Sequence, residues 1–566
     1  MMKLTLAQLN LTVGDIEGNA AKMVQAAWQA RDEGSQLVVF PELSLTGYYP
    51  GDLLDEPAFL QRVEAGIGAL CAASRQMRGL CWVFGAPVPR GGPGKRLHNM
   101  LLVLRDGEVV LRYAKQLLPT YNVFDERRHF EPGPDVAKVL RIGSAQVGLM
   151  ICEDGWNDTG ADYAVNPFER LRDAAPDLVV SINASPSQVG KRELRHQIFG
   201  DASRRHGLPI LYVNQIGGHD QLVYDGGSFA VEPERGVVHE AQRFSEDVTT
   251  LVFNNGRFSM LDGRAPAPVS REGLSTMAFY RAQITLGLQD YARRCGFRQV
   301  VVGSSGGIDS ALTVALAADA LGSQNVLAVT MPSRWSSAGS VDDSVQLCRE
   351  LGVELKTHPI EELVAGYATQ FERSFGQALQ GLPRENLQAR VRGTVLMEVS
   401  NTFGHLLLTT GNKSEISVGY CTLYGDTNGG LGLIGDLYKT EVFGLCRHLN
   451  ADAGRQRIPV AIIDKPPSAE LAPDQKDTDS LPPYEVLDDV LKVLIEGDRL
   501  PRWEHEQAFA RVEQLRANAE GRALIERVRG MIARNEYKRR QSPPIVRVRA
   551  RAFGSGRQMP IAARHV

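Results

Sequence analysis

The sequence lacks the features that mark secreted, zinc-binding and membrane proteins. Its 566 residues include seven cysteines, an odd number, and no two of them have CxxC spacing. This usage predicts reduced thiols, argues against a zinc site and favours a cytoplasmic setting. The first ten residues lack the apolar core of a signal peptide, and no apolar run approaches the roughly 20 residues that span a bilayer. We therefore expect no membrane partner.

An excess of charge of one sign is also absent. The chain has 63 Lys+Arg against 66 Asp+Glu, a net charge of −3, so no basic field favours nucleic acid. A hydrophobic content of 43% and a charged content of 23% are typical of a soluble globular protein. The length predicts two to four domains, each with its own core.

The two halves of the chain differ in their hydrophobic pattern. The first half repeats short apolar runs rich in β-formers, with helical stretches between several of them, which predicts a mixed α/β layer fold. The second half alternates strand and helix patterns, which predicts a doubly wound parallel sheet. A stretch rich in Gly and Pro separates the halves. We expect domains at 1–255 and 273–566, joined by a linker at 256–272.

A glycine-rich turn opens the second half. It follows the apolar run Val300–Val302 and precedes a helical pattern. A strand, such a turn and a helix start form a site for phosphate, because glycines allow close approach and free N–H groups face the anion. An ordinary strand-to-helix turn is the alternative. The predicted ATP-binding residues of the turn are Gly303, Ser304, Ser305, Gly306, Gly307, Ile308, Asp309 and Ser310.

The motif Ser-Gly-Gly-x-Asp-Ser within this turn is not of the Walker type, since the chain has no GxxxxGK[ST] sequence. It resembles the pyrophosphate loop of enzymes that cleave ATP to AMP and pyrophosphate. Such enzymes activate a carboxyl or carbonyl group by adenylation, usually for attack by nitrogen. Asp309 stands where a metal-bound triphosphate needs a carboxylate.

Three reactive residues follow predicted strands of the first half: Glu42, Lys115 and Cys152. A thiol with an ordinary pKa near 8.5 needs a base to attack an amide at neutral pH. A carboxylate can take its proton, and an ammonium can stabilise the oxyanion that follows. Each residue alone is weak evidence, and a buried structural cysteine is the alternative for Cys152. The other six cysteines are expected to be packing residues.

The contexts of these residues resemble the signature segments of the nitrilase (carbon–nitrogen hydrolase) superfamily. The segments are 41–48, 113–119 and 151–154, in the family's order along the chain. The resemblance implies an αββα sandwich. It also implies Glu42 as general base, Lys115 as electrostatic stabiliser and Cys152 as nucleophile.

The chain carries both signatures, and this combination resembles the glutamine-dependent NAD synthetase family over essentially the whole length of the chain. The resemblance implies a glutaminase domain and an ATP-pyrophosphatase-type synthetase domain, with L-glutamine, ATP and deamido-NAD⁺ as substrates and Mg²⁺ as cofactor. It places glutamine contacts at Tyr121, Ser185 and Lys191. It also implies a homo-oligomer and a protected ammonia channel, whose route the sequence does not show.

Further matching segments imply the residues of the synthetase site. Thr410 is expected at ATP, and Asp309 and Glu415 at Mg²⁺, since this ion takes one or two protein carboxylates with phosphate oxygens and water. Lys413 is expected near phosphate. The contacts implied for deamido-NAD⁺ are Asn386, Glu415, Asp426, Lys439 and Lys538. For Lys538, a solvated helix end is the alternative.

Three other segments have more than one interpretation. Gly430–Gly435 satisfies the G-x-G-x-x-G pattern of a Rossmann dinucleotide site, but turn formers and not a strand precede it, so we expect a mobile glycine loop. Lys465–Pro483, rich in Pro and Asp, suits a surface loop or an active-site lid. The alternating arginines Arg547, Arg549 and Arg551 predict a solvated extended edge, with phosphate steering as the alternative.

The sequence therefore predicts ATP-dependent amidation of deamido-NAD⁺ to NAD⁺. The ammonia comes from glutamine, and an adenylate forms with release of AMP and pyrophosphate. Three rival functions stay open at this point. They are an amidotransferase of the GMP or asparagine synthetase kind, a nucleotide-binding sensor without activity, and an amidase with an inert C-terminal half.

Overall fold

A computed structural model describes residues 1–270, 272–472 and 475–563, and the chain divides into two compact units. The first unit comprises Met1–His219 and Val223–Gly273. The second comprises Asp220–Leu222 and the chain from Leu274 onward. Among the described residues, no helix has both the length and the apolar character needed to cross a membrane.

The first unit contains fifteen named strands and four α-helices within its described residues. The strands are β1 Met2–Gln8, β2 Leu37–Val39, β3 Cys81–Pro89, β4 Leu97–Arg105, β5 Glu108–Ala114, β6 Val139–Ile142, β7 Ala145–Ile151, β8 Leu178–Asn183, β9 Ile210–Asn214, β10 Ile216–His219, β11 Leu222–Asp225, β12 Phe229–Glu232, β13 Gly236–Glu240, β14 Asp247–Asn254 and β15 Arg257–Met260. The helices are α1 Ile16–Asp32, α2 Pro57–Ser74, α3 Pro167–Ala174 and α4 Lys191–His206.

Two sheets form a sandwich in this unit. One has seven strands in the order β15-β14-β1-β2-β3-β4-β5, and the other has six in the order β13-β12-β9-β8-β7-β6. Side chains alternate along β8: Val180 joins the core between the sheets, whereas Val179 faces Phe199 of α4. Helices α1 and α2 contact the seven-stranded sheet, and α3 and α4 contact the six-stranded one. The αββα prediction is confirmed.

The stretch expected to be a linker is partly a strand. Strand β15 pairs with β14 in antiparallel register, with Phe258 opposite Phe253. Both rings are buried in the core between the sheets. Hydrophobic side chains therefore hold residues 257–260 of the expected linker in the first unit. Residue 271 of that stretch lies outside the described residues.

The second unit contains a five-stranded parallel sheet in the order β18-β17-β16-β19-β20. Its strands are β16 Val300–Gly303, β17 Val326–Thr330, β18 Glu354–Thr357, β19 Leu406–Thr409 and β20 Leu431–Gly432. Its helices are α5 Thr276–Arg294, α6 Ile308–Leu321, α7 Ala338–Leu351, α8 Glu361–Phe375, α9 Leu382–Phe403, α10 Lys413–Val418, α11 Lys439–Ala453, α12 Val460–Asp464, α13 Tyr484–Ile495, α14 Arg502–Arg516, α15 Ala519–Arg534 and α16 Glu536–Arg539. This order confirms the doubly wound prediction, with the switch point at β16 and β19.

The expected mobile glycine loop at Gly430–Gly435 is instead the edge of this sheet. Leu431 pairs with Leu408 as part of β20, and Leu431, Leu433 and Ile434 are fully buried. The expectation was wrong because the apolar side chains between the glycines fill the core.

The expected solvated arginine edge is also wrong. Arg547 and Arg549 are buried, 2% and 0% exposed. Arg549 donates to Glu496 Oε1 at 2.7 Å and also pairs with Glu441 and Glu504. Alternation of charged and apolar residues predicts exposed charged side chains only when the interior holds no residues of opposite charge. Here three buried carboxylates pair with Arg549.

This network predicts the cost of removing its cation. Arg549→Met keeps much of the side-chain volume but leaves Glu441, Glu496 and Glu504 buried without the guanidinium. Breaking a buried ion pair from one side costs about 3–5 kcal/mol. We expect a clear fall in the thermal unfolding midpoint of the second unit, measured by calorimetry.

The control is Arg502→Met, because the Arg502 side chain is 93% exposed and pairs with Glu506 on the surface. Such a pair contributes little. Equal midpoints for the two variants would show that the Arg549 network does not stabilise the unit.

Candidate active sites

Strands of both sheets bring the three predicted catalytic side chains of the first unit to one buried point. Glu42 lies three residues after β2, Lys115 follows β5, and Cys152 follows β7. Lys115 Nζ donates to Glu42 Oε1 at 2.7 Å, and all three residues are buried. Cys152 has a φ of 42° and opens a short 3₁₀ helix, Cys152–Gly155, here named the cysteine turn. Its left-handed backbone is a strained conformation of the kind that clusters at active sites.

A fourth buried side chain, Glu126, belongs to this cluster and was missed by the sequence analysis. Lys115 Nζ donates to Glu126 Oε1 at 2.6 Å, and the Tyr48 hydroxyl donates to the same oxygen at 2.7 Å. The Asn99 amide donates to Glu42 at 2.7 Å and to Glu126 at 3.3 Å. Glu126 follows no strand and has no partner nearby in sequence, so no local pattern places it beside Lys115.

Burial and neighbouring charges set the ionisation of this cluster. Burial raises the pKa of the Cys152 thiol well above its usual range, Glu42 raises it further, and Lys115 offsets only part of the rise. Burial alone would lower the pKa of Lys115, but Glu126 and Glu42 outweigh it and keep this pKa high. The resting site therefore holds a neutral thiol, which must lose its proton before it can attack.

Two of the three predicted glutamine contacts touch the cysteine turn or the residue that ends it. The Tyr121 hydroxyl donates to the two carboxylate oxygens of Glu153 at 3.1 and 3.2 Å. Lys191 Nζ lies 3.7 Å from the centroid of the Trp156 ring, and Trp156 caps the turn. Tyr121 and Lys191 thus lie close to the predicted nucleophile.

The third predicted contact, Ser185, is held by a buried ion pair. The Arg195 guanidinium donates to Ser185 Oγ at 3.2 Å and to its carbonyl at 2.7 Å. Arg195 pairs with Asp225 at 2.8 Å. Burial would raise the pKa of Asp225, but Arg195 and Arg243 outweigh it and lower this pKa. Ser185 is therefore fixed just beyond the end of β8, the strand beside β7.

The predicted phosphate loop of the second unit lies at the carboxyl end of β16, the switch point of the parallel sheet. Gly306 has a φ of 78°, and a Cβ there would lie 2.3 Å from the carbonyl oxygen of Ser340. Only glycine fits this position. Helix α6 begins at Ile308, so the N–H groups of its first turn are available to an anion.

Two carboxylates of this site converge on the ammonium group of Lys439. Nζ lies 2.5 Å from Asp309 Oδ2 and 3.1 Å from Glu415 Oε1. The Asn412 amide donates to Asp309 at 2.8 Å, and Asn412 Oδ1 accepts the Glu415 N–H at 3.0 Å. Burial raises the pKa of Glu415 to about 8; Lys439 opposes the rise and Asp309 adds to it.

A cavity beside the loop gathers most of the predicted synthetase residues, though not all of them. Asn386 and Lys538 lie just outside its lining: Asn386 accepts from the hydroxyl of lining residue Thr422 at 2.9 Å, and Lys538 Nζ donates to the carbonyls of Gly419 and Cys421 at 2.7 Å each. Burial raises the pKa of Asp426, a lining residue, to about 6. The predicted residues that line the cavity are Gly303–Ser310, Thr410, Glu415, Asp426 and Lys439.

Two expectations about single residues are wrong. Lys413, expected near phosphate, is fully buried and bonds to Asp436 at 2.8 Å and Glu496 at 3.2 Å. Its charge is therefore neutralised within the fold. Cys295, expected to be a packing residue, is exposed at the end of α5.

The segment 465–471 also lines the cavity. Part of the stretch that suits either a surface loop or an active-site lid therefore contacts the site. Lys465 Nζ lies 3.3 Å from the Gly306 carbonyl and 3.2 Å from Ser340 Oγ. Glu470 accepts from Ser340 Oγ at 2.6 Å. The sequence analysis missed Lys465 and Glu470, because a loop without hydrophobic periodicity does not indicate which way its side chains point. Residues 473 and 474 of the segment Lys465–Pro483 lie outside the described residues.

Comparison with known proteins assigns a family to each unit. Residues 3–254 match the carbon–nitrogen hydrolase family and residues 280–542 match the NAD synthase family. A glutamine-dependent NAD(+) synthetase of Synechocystis sp. is 42% identical, covering 99% of each chain. One of Rhodobacter capsulatus is 43% identical, covering 99% of this chain and 98% of the relative. The structure of the Acinetobacter baumannii enzyme with ADP superimposes with a TM-score of 0.76 at 36% identity, covering 99% of this chain and 98% of that one.

A hydrolase unit and an ATP-using NAD synthase unit in one chain define a carbon–nitrogen ligase that takes its nitrogen from an amide. The chain belongs to the glutamine-dependent NAD(+) synthetases. Its reaction is the ATP-dependent amidation of deamido-NAD⁺ to NAD⁺ with glutamine as nitrogen donor. The predictions of family, fold class and overall reaction are confirmed, and the three rival functions do not agree with this assignment.

The ionisation of the cysteine site yields a prediction. Glu42→Gln keeps the side-chain size but removes a charge that raises the pKa of Cys152. We expect the thiol pKa to fall by on the order of one unit. Glutamine hydrolysis should fall by roughly 10²–10⁴, because the proton acceptor is lost. Mass spectrometry of alkylated Cys152 peptide against pH measures the first effect, and ammonia release measures the second.

The control is Glu193→Gln, a glutamate of the same unit whose side chain is 55% exposed. It should change neither quantity. A glutaminase that stays active in Glu42→Gln, or a thiol pKa that rises, would rule out Glu42 as the base.

Proposed function

We propose that the first unit releases ammonia from glutamine through Cys152, with Glu42 as general base and Lys115 as oxyanion stabiliser. Glu42 takes the thiol proton while sulfur attacks the side-chain carbonyl carbon. The amide nitrogen then receives that proton and leaves as ammonia, and water hydrolyses the thioester to glutamate and free thiol. The buried contact between Lys115 and Glu42 beside Cys152 is the observation that supports this proposal.

Neighbouring residues have positioning roles in this proposal. Glu126 shares the ammonium of Lys115 with Glu42, so the lysine is held from two sides. Tyr121, Ser185 and Lys191 are proposed to bind glutamine. Their places at the cysteine turn and at the end of β8 support that role.

In the second unit, the nicotinate carboxylate of deamido-NAD⁺ is proposed to attack the α-phosphorus of ATP, with pyrophosphate as leaving group. Ammonia then displaces AMP from the adenylate and forms the amide. The loop Gly303–Ser310 and Thr410 are proposed to bind ATP, since glycines and a helix start face the cavity. The residues proposed to bind deamido-NAD⁺ are Asn386, Glu415, Asp426, Lys439 and Lys538.

Asp309 and Glu415 fit Mg²⁺. Both carboxylates reach one cation position, because the ammonium of Lys439 contacts both of them. Mg²⁺ takes one or two such carboxylates together with phosphate oxygens and water. The bound ion supplies charge neutralisation for the triphosphate. The lysine and the ion would share the negative charge of the pair.

We further propose self-association through the second unit and a cytoplasmic location. Helices α8 and α9 carry apolar side chains that stay exposed, among them Tyr367 at 59% and Phe375 at 70%. Exposed apolar side chains of this kind favour a partner surface. The seven cysteines are free thiols, which suits a reducing compartment.

The two sites can be separated by mutation. Cys152→Ala should abolish NAD⁺ formation from glutamine and leave formation from ammonium near the wild-type rate, because only the source of ammonia is lost. NAD⁺ is measured with Mg·ATP, deamido-NAD⁺ and either nitrogen donor. Cys295→Ala, at an exposed cysteine, is the control and should keep both activities. Loss of both activities in a folded Cys152→Ala protein would contradict the two-site proposal.

The reverse separation tests the second site. Asp309→Ala should end NAD⁺ formation and pyrophosphate release with either donor, because the proposed Mg²⁺ site loses a carboxylate, while glutamine hydrolysis persists. Asp452→Ala is the control, since Asp452 lies in the same unit and its side chain is 54% exposed. Pyrophosphate release at the wild-type rate from Asp309→Ala would remove Asp309 from the site.

A further inference from the structure

A cluster of two aspartates and a histidine in the first unit has no part in the chemistry described above. Asp52 and Asp55 lie in a 3₁₀ helix, Gly51–Asp55. Side chains at positions i and i+3 eclipse in a 3₁₀ helix, so the two carboxylates share one face. His129 directly follows a second 3₁₀ helix, Glu126–Arg128. One ligand atom from each of the three residues lies within 4.8 Å of the others.

The buried imidazole of His129 is directed at this pair of carboxylates. Its side chain is 3% exposed, and Nε2 makes no hydrogen bond within the described chain. Nε2 lies 3.3 Å from Asp52 Oδ1 and 3.5 Å from Asp55 Oδ2. A buried nitrogen without a hydrogen bond lowers the free energy of unfolding, so a ligand bound to Nε2 would stabilise the fold.

The other ring nitrogen sets the form of the imidazole. Tyr49 Oη lies 2.5 Å from His129 Nδ1, and the Tyr49 hydroxyl donates to the carbonyl of Asp125 at 3.4 Å. When the phenol proton is directed at that carbonyl, the phenol oxygen accepts from Nδ1–H, and in the neutral imidazole Nε2 then carries the lone pair. Metal-binding histidines generally donate their second N–H in this way.

The distances suit one ion shared by three ligands. Atoms at about 2.1 Å from a tetrahedral ion lie roughly 3.4 Å apart, close to the 3.3 and 3.5 Å found here. Arg128 pairs with Asp52 Oδ2 at 2.9 Å, which leaves Oδ1 facing the histidine. A nitrogen and two carboxylate oxygens are ligands that zinc accepts, with water in the fourth place.

We propose that Asp52, Asp55 and His129 form a binding site for a divalent transition-metal ion of the zinc type. Such an ion ties the helix Gly51–Asp55 to the segment that carries Glu126. The cysteine spacing argued against a zinc site, but that argument covered thiolate ligands only. The site is structural, since within the described residues no hydrogen bond joins its three ligands to Glu42, Lys115 or Cys152.

Equilibrium dialysis of the full-length, EDTA-treated protein against Zn²⁺ alone tests the proposal. We expect wild type to bind one equivalent of Zn²⁺ more than either His129→Phe or Asp55→Asn. All variants keep the seven cysteines, so binding at thiols cancels in the comparison. Zn²⁺ should also raise the unfolding midpoint of wild type more than that of either variant.

The matched control is His505→Phe. His505 Nε2 lies 3.5 Å from Asp498 Oδ1, the same separation with a single carboxylate. This variant should bind as many equivalents as wild type. Asp55 is exposed, so Asp55→Asn decides the matter if His129→Phe does not fold. Equal stoichiometry in wild type and Asp55→Asn would overturn the proposal and leave the cluster as an ion pair between a charged histidine and two aspartates.

Discussion

Each candidate active site of this enzyme is organised around a buried lysine that two carboxylates share. Lys115 lies between Glu42 and Glu126, and Lys439 lies between Asp309 and Glu415. A charge without water is stable only when it is paired and hydrogen-bonded, so each lysine holds its carboxylates in place. When both carboxylates are ionised, they leave a net negative charge around the ammonium. Burial raises the pKa of Glu415 to about 8, so in the second site this charge is complete only when Glu415 loses its proton.

In the first site, the extra negative charge faces a thiol. It adds to the rise in the pKa of Cys152 that burial causes, so in the proposed mechanism the thiolate forms only where a base can accept its proton. In the second site, the extra charge faces a cavity lined by a glycine-rich turn and a helix start. There it suits the divalent cation proposed above, which would in turn bind phosphate. The same arrangement of charges therefore suits acyl transfer in one unit and phosphate chemistry in the other.

Sequence alone could predict candidate side chains that follow a strand within a motif, such as Glu42, Lys115 and Cys152. It could not identify those that long-range pairing places. The three partners of Arg549 lie 45 to 108 residues away in sequence, and no local pattern distinguishes a buried arginine from a solvated one. The expectation for Lys413 failed for the same reason, because its acidic partners lie 23 and 83 residues away in sequence. Hydrophobic periodicity indicates which face of a helix or strand is apolar, but not which charged side chains pair in the interior.

The cluster of Asp52, Asp55 and His129 follows the same rule of pairing but lacks an evident internal cation. In the clusters around Lys115, Lys439 and Arg549, a lysine or arginine lies between carboxylates. Here the atom that faces both carboxylates is His129 Nε2, which makes no hydrogen bond within the described residues. Arg128 pairs with Asp52 Oδ2, the oxygen that does not face the histidine. Either a proton on His129 or a metal ion can supply the missing positive charge. If the neutral ring donates Nδ1–H to Tyr49, Nε2 carries a lone pair, and a lone pair that faces two carboxylates is stabilised by a cation between them.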